Sequence, residues 1–233
     1  IKLTNIYCDI ADIKSIKKYD KRRIVKGFTT NPSLMRKAGA TDYELYCKRI
    51  LSVTKKPVSF EVFADDEKNM IIQGTKINSW SKNLFVKVPI TNSKGKFMGR
   101  VIHKLNKKGI KLNITAVYKS KQTAKILKCI NNKIPVIISI FAGRMADVGI
   151  DPLPEIKESL RISKKFKNVK ILWASTREPY NYLQSKKLNC HLITAPPSII
   201  DKIEKFNKTK NNLSTITVKG FLQDSKKSKF KIS

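Results

Sequence analysis

The chain has 233 residues, 41% of them hydrophobic, enough to bury a substantial core and to exclude a globally disordered polymer. Its formal net charge of +32 suggests a nucleic-acid binder, yet only eight of the 49 basic residues are arginines and the lysines run through every segment. That spread, with abundant isoleucine and asparagine, reads as the solvated surface of a protein from an AT-rich coding genome; no nucleic-acid partner is expected, while anionic metabolites are attracted.

No apolar run approaches the ~18–20 residues of a membrane span, so no membrane partner is expected. No signal-peptide pattern is legible. Cys8, Cys47, Cys129 and Cys190 form no CxxC pair and predict reduced thiols in a cytoplasmic protein. His103 and His191 have no second ligand at metal-binding spacing, so no metal is expected.

In chain order, NIYCD (5–9) reads as a first strand and residues 10–22 as a helix. KGFTTN (26–31) and the helical spacing of 41–54 follow, then VSFEVFA (58–64) with 66–81 and LFVKVPI (84–90) with 94–108. The second half repeats the alternation: KLNITAV (111–117) with 119–131, PVIISIF (135–141) with 154–166, KILWAS (170–175) with 178–187, and HLITAP (191–196) with 197–206. Eight strand–helix units predict an α/β fold, a (β/α)8 TIM barrel forming a single catalytic domain over residues 1–206. A doubly wound open sheet is the alternative, but no GxGxxG or P-loop follows any strand. Residues 207–233 are polar and lysine-rich around ITVKGFLQ (216–223), and read as a basic C-terminal helix or tail.

Strand side chains alternate between faces, so residues two apart share one. On that parity Thr29 pairs with Asn31, Asn113 with Thr115, Ser139 with Phe141, and Ser175 with Arg177. Asp9 ends the first strand, Glu61 lies in the third, and Lys87 lies within the fourth. Pointed inward, these residues make one barrel mouth polar, the end where barrel enzymes carry their sites. Plainer readings exist for each. Asp9 can cap a helix, Thr29 to Asn31 can be a turn, and Asn113 and Thr115 can be satisfied core polar groups. Glu61 and Lys87 can be a buried ion pair without chemistry, and Arg144 and Arg177 can be surface residues. Taken together at strand ends, they point instead to imine chemistry. Burial favours the free amine of a lysine, which attacks a carbonyl, and the resulting protonated imine stabilises a neighbouring carbanion. Asp9 and Glu61 can move the protons, and Arg144, Arg177 and Ser175 suit a phosphate.

The chain resembles the transaldolase family, in particular its short branch, which includes fructose-6-phosphate aldolase-like proteins. The resemblance rests on GFTTNPSLMRKAG (27–39), LFVKVPIT (84–91), KLNITAVY (111–118), SIFAGRMADVGIDP (139–152) and KILWASTRE (170–178). It implies that Lys87 is the Schiff-base lysine and Asp9 the acid/base aspartate. It further implies that Glu61 works through a water that Thr115 holds. Thr29, Asn31, Asn113, Ser139, Phe141, Arg144, Ser175 and Arg177 would contact the sugar phosphate. No cofactor is implied, and a homo-oligomer is, since short members commonly form rings. Glu61 and Phe141 stand where aldolases that release free dihydroxyacetone tend to carry Gln and Tyr. The pair therefore implies group transfer. An aldolase of that kind is the first alternative, and a basic nucleic-acid-binding protein on an inactive barrel is the alternative from another class.

Overall fold

In the computed structural model, residues 4–206, 213–229 and 231 are described. Eight parallel strands close into a barrel in sequence order: β1 (Asn5–Asp9), β2 (Val25–Thr29), β3 (Val58–Glu61), β4 (Leu84–Pro89), β5 (Leu112–Val117), β6 (Val136–Ile140), β7 (Val169–Trp173) and β8 (Leu192–Ala195). The helices around it are α1 (Ile13–Asp20), α2 (Pro32–Lys37), α3 (Tyr43–Val53), α4 (Glu67–Asn78), α5 (Gly99–Lys107), α6 (Ser120–Leu127), α7 (Ala142–Ala146), α8 (Leu153–Ser163), α9 (Tyr180–Lys187) and α10 (Pro197–Ile203). A last helix, α11 (Leu213–Ser228), buries none of its residues and exposes Ile216, Val218 and Phe221. No helix among the described residues is long and apolar enough to cross a membrane.

The barrel is thus as the alternation predicts, with two differences. Six of the eight strands stop earlier, β1 and β5 ending where expected, and α2 and α7 are extra short helices directly after β2 and β6. Asn31 leaves β2 to cap α2, its Oδ1 accepting the Leu34 N–H at 2.9 Å, with Pro32 at the first helical position. Asp12, Asp42 and Asp66 cap α1, α3 and α4 in the same way.

Two apolar clusters follow from strand alternation. The outward residues, such as Phe28, Phe60, Val86, Ile114, Ile138 and Trp173, pack under the helices in one large core. Filling this layer is what stabilises the domain, at about 1.5–3 kcal/mol for each large side chain removed from water. The inward residues Tyr7, Ile137, Leu172 and Leu192, with Phe85 against them, fill the barrel itself. Gly27 of β2 makes room there, because a Cβ on it would lie 2.6 Å from the Tyr7 ring.

Candidate active site

Two residues beyond each inward apolar position, the same strands turn polar. Tyr7 leads to Asp9, Gly27 to Thr29, Phe85 to Lys87, Ile137 to Ser139, and Leu192 to Thr194. These polar residues line a cavity of about 170 Å³ at the C-terminal mouth, together with Asn31, Phe141, Arg144, Ala174, Ser175 and Arg177.

Lys87 is only 6% exposed. Its Nζ lies 3.0 Å from Glu61 Oε2 and donates to the Thr30 carbonyl at 2.9 Å. The pairing follows from register, since Glu61 and Lys87 are direct partners across β3 and β4. Asp9 accepts from the Thr29 hydroxyl at 2.7 Å, and the Thr29 and Thr194 hydroxyls share a hydrogen bond of 2.6 Å. Burial raises the Asp9 carboxyl above its ordinary value, an effect that nearby Lys87 and the Thr29 bond oppose and Glu61 reinforces.

Asn113 and Thr115 lie beside this group on β5. Asn113 does not line the cavity; each end of its amide is engaged, donating to Ser59 Oγ at 3.0 Å and accepting from Ser139 Oγ at 2.6 Å. Asn113 thus holds Ser139 in place, and like Glu61 and Thr115 it stands beside the cavity rather than in its wall. Thr115 is buried, and its hydroxyl has no hydrogen-bond partner among the described residues. Directly after it, Ala116 adopts φ 58°, where β5 loses register with β6.

The rim differs from the parity expectation. β7 ends at Trp173, so Ser175 and Arg177 lie in the following loop, and Ser175 has φ 62°. Strand alternation does not reach them; the turn at Ser175 brings both to the cavity. Its carbonyl comes so close to α7 that a Cβ on Gly143 would lie 1.6 Å from it. Glycine at 143 is therefore what lets α7 and this loop meet. Arg144 lies over the Phe141 ring at 5.6 Å. The Arg177 guanidinium makes a bidentate pair with Asp147, at 2.6 Å from Nη2 and at 3.0 and 3.1 Å from Nε. Those bonds raise Arg177 and hold Asp147 below the usual carboxylate range.

Sequence reasoning missed Thr194, which the two-residue step from Leu192 in HLITAP signals. It also missed Asp147, inside the quoted FAGRMADVGIDP run, and the Thr30 carbonyl, which no side-chain pattern reveals. The four cysteines are unpaired thiols, and burial pushes those of Cys47 and Cys190 up to about 12.

The model of the family described as Transaldolase/Fructose-6-phosphate aldolase matches residues 6–232. A Methanococcus vannielii protein called "Probable transaldolase" is 32% identical over 219 residues, covering 94% of this chain and 95% of the relative. A "Probable transaldolase" of Nitrosopumilus maritimus is 31% identical over 226 residues, covering 96% of each. Among solved structures, inosine 5' monophosphate dehydrogenase from Legionella pneumophila superposes with a TM-score of 0.58 at 10% identity. That match covers 82% of this chain and 57% of the other, and bears on the barrel fold alone.

Proposed function

The chain belongs to the transaldolase/fructose-6-phosphate aldolase family, and on that premise we propose that it is a Schiff-base transaldolase moving a dihydroxyacetone unit between sugar phosphates. The observation that carries this reading is Lys87, buried in a strand yet aimed into the cavity between two carboxylates. Its free amine attacks the C2 ketone of a ketose phosphate such as fructose 6-phosphate or sedoheptulose 7-phosphate. The carbinolamine so formed loses water to give the iminium ion. Asp9 takes the proton of the C4 hydroxyl as the C3–C4 bond breaks, and an aldose phosphate leaves. The electron pair of that bond stays on C3, giving an enamine on Lys87. The enamine then adds to the carbonyl of an acceptor aldose phosphate, and the new alkoxide takes the proton back from Asp9. Water finally hydrolyses the iminium and restores the lysine.

Glu61, 3.0 Å from the reacting nitrogen, is the group to move protons during dehydration and hydrolysis. The unpaired Thr115 hydroxyl supports the same assignment. A buried hydroxyl without a partner costs about 1–3 kcal/mol, so it favours a water or substrate oxygen beside it. Asp9 suits acid/base work because its carboxyl is raised toward the working pH. Arg144 and Arg177 at the rim suit the phosphate, with Asp147 yielding Arg177 when a phosphate arrives.

Transfer is favoured over release because Phe141, at the cavity wall, has no hydrogen-bonding group with which to place a water on the enamine. The test is acceptor dependence. With fructose 6-phosphate alone, free dihydroxyacetone stays at background; adding erythrose 4-phosphate yields glyceraldehyde 3-phosphate. Release of dihydroxyacetone without an acceptor would favour the aldolase reading. The exposed apolar residues of α11 support packing against a second subunit, which sedimentation analysis checks.

A further inference from the structure

We propose that Tyr43 is a positioning residue for the lysine chemistry, its hydroxyl standing in for the missing β2 partner of Glu61; this rests on the Schiff-base reading above. The starting point is the ladder between β2 and β3. In a parallel pair, one residue donates to and accepts from two residues flanking its partner. Phe28 and Val58 are partners, and so are Thr29 and Ser59, which makes Thr30 the next in line beside Phe60. Thr30 N–H does donate to the Ser59 carbonyl, at 3.2 Å. The regular continuation would have the Glu61 N–H donate to the Thr30 carbonyl.

That bond is replaced. The Glu61 N–H donates to the Tyr43 hydroxyl at 3.1 Å, and the Tyr43 hydroxyl donates to the Glu61 carbonyl at 2.8 Å. The Thr30 carbonyl accepts from Lys87 Nζ at 2.9 Å instead. One phenol therefore satisfies both backbone groups that β2 abandons when Asn31 turns away to cap α2. It also leaves the Thr30 carbonyl open toward the lysine, and fixes the end of the strand that carries the Glu61 carboxylate. On the other side, Val62 N–H donates to the Lys87 carbonyl at 3.0 Å, so the Glu61 backbone is held from both neighbours.

The phenol is itself held in place. Tyr43 opens α3 directly after the Asp42 cap, and its ring meets Phe63 edge-on at 5.2 Å and Trp80 at 6.4 Å. Burial keeps the phenol well above its ordinary range, so it stays neutral and can donate and accept at once. Tyr43 does not line the cavity, so it acts only through Glu61 and the Thr30 carbonyl.

Tyr43→Phe keeps the ring and removes the hydroxyl. The variant should lower kcat, and the single-turnover rate of Lys87 adduct formation with fructose 6-phosphate and borohydride, by about tenfold, part of the about 10²–10⁴-fold that a positioned acid/base group contributes. KM should stay within about twofold, since the substrate contacts are untouched. Rates are normalised to the Lys87 that can be trapped, so loss of folded protein does not count. A lower melting temperature with unchanged normalised kcat, or a raised KM with unchanged kcat, overturns the proposal. An independent check uses the unaltered protein. The Glu61 amide should exchange as slowly as the Val62 amide; exchange at the rate of a loop amide overturns the clamp. If the unaltered protein forms no Lys87 adduct, the Schiff-base reading fails and takes the kinetic part with it. If both proteins form the adduct equally fast, Tyr43 alone loses its role.

Discussion

The barrel interior is built twice from the same strands, two residues apart. Its floor holds Tyr7, Phe85, Ile137, Leu172 and Leu192, packed on one another, the Tyr7 phenol being the one polar side chain among them. Its mouth holds Asp9, Lys87, Ser139, Ala174 and Thr194, and nearly every polar atom there is bound to a specific partner. The floor needs only apolar groups of the right volume, so it tolerates repacking. The mouth places like and unlike charges side by side and largely buried, so the Lys87 and Glu61 charges alter the protonation of Asp9. It also carries backbone in the left-handed region at Ala116 and Ser175, where the floor has none. Inside the barrel, apolar packing is concentrated in one layer and the candidate chemical groups in the other.

Substitutions can separate the two. The largest effect belongs to Lys87→Ala. Turnover and borohydride trapping with fructose 6-phosphate should both vanish while circular dichroism and melting stay close to those of the unaltered protein. Retained turnover would dissolve the distinction between the layers. In the floor, Leu172→Ala should destabilise the fold by about 2–5 kcal/mol in denaturant unfolding, with activity per folded molecule nearly unchanged. A specific loss of kcat would mean that the floor shapes the site. At the rim, Arg177→Ala should raise KM for phosphorylated ketoses about tenfold, and change little toward unphosphorylated dihydroxyacetone donors. An equal effect on both would move Arg177 out of the phosphate's reach.

Asp9→Asn should change stability far less than Leu172→Ala does, and with a sign opposite to its effect on activity. A carboxyl raised on folding stabilises the fold fully below its unfolded value of 3.8 and loses that contribution as pH rises above it. At neutral pH Asp9 therefore contributes less to stability than it does in acid. Asp9→Asn should raise the melting temperature slightly at pH 7, with the gain shrinking as pH falls toward 3.8, while transfer activity is lost. A lower melting temperature at pH 7 would mean that attraction to Lys87 outweighs burial.

The difference between the layers also explains what the sequence could reveal. The barrel was legible because eight apolar strand runs alternate with amphipathic stretches, a pattern that burial on both faces imposes. Asp9, Thr29, Lys87 and Ser139 were legible because parity is a property of the strand itself. Past the strand ends parity stops carrying information. Ser175 and Arg177 reach the cavity through a left-handed turn rather than through alternation. Asn113 matches the parity rule, and its bonds to Ser59 and Ser139, which parity does not foresee, tie β3, β5 and β6 together. Asn31 satisfies both of its readings at once, lining the cavity and capping α2. The Tyr43 clamp and the Thr30 carbonyl were illegible, since they depend on where two strands part rather than on any residue pattern.

The most direct test of the central claim is covalent capture at Lys87. The protein is incubated with fructose 6-phosphate, reduced with borohydride, digested and mapped by mass spectrometry. One reduced adduct should form, on Lys87 in the peptide spanning LFVKVPI, and none in Lys87→Ala. A folded protein that gives no adduct at Lys87 with several ketose phosphates, or carries it on another lysine, would contradict the assignment of this mouth as the seat of imine chemistry.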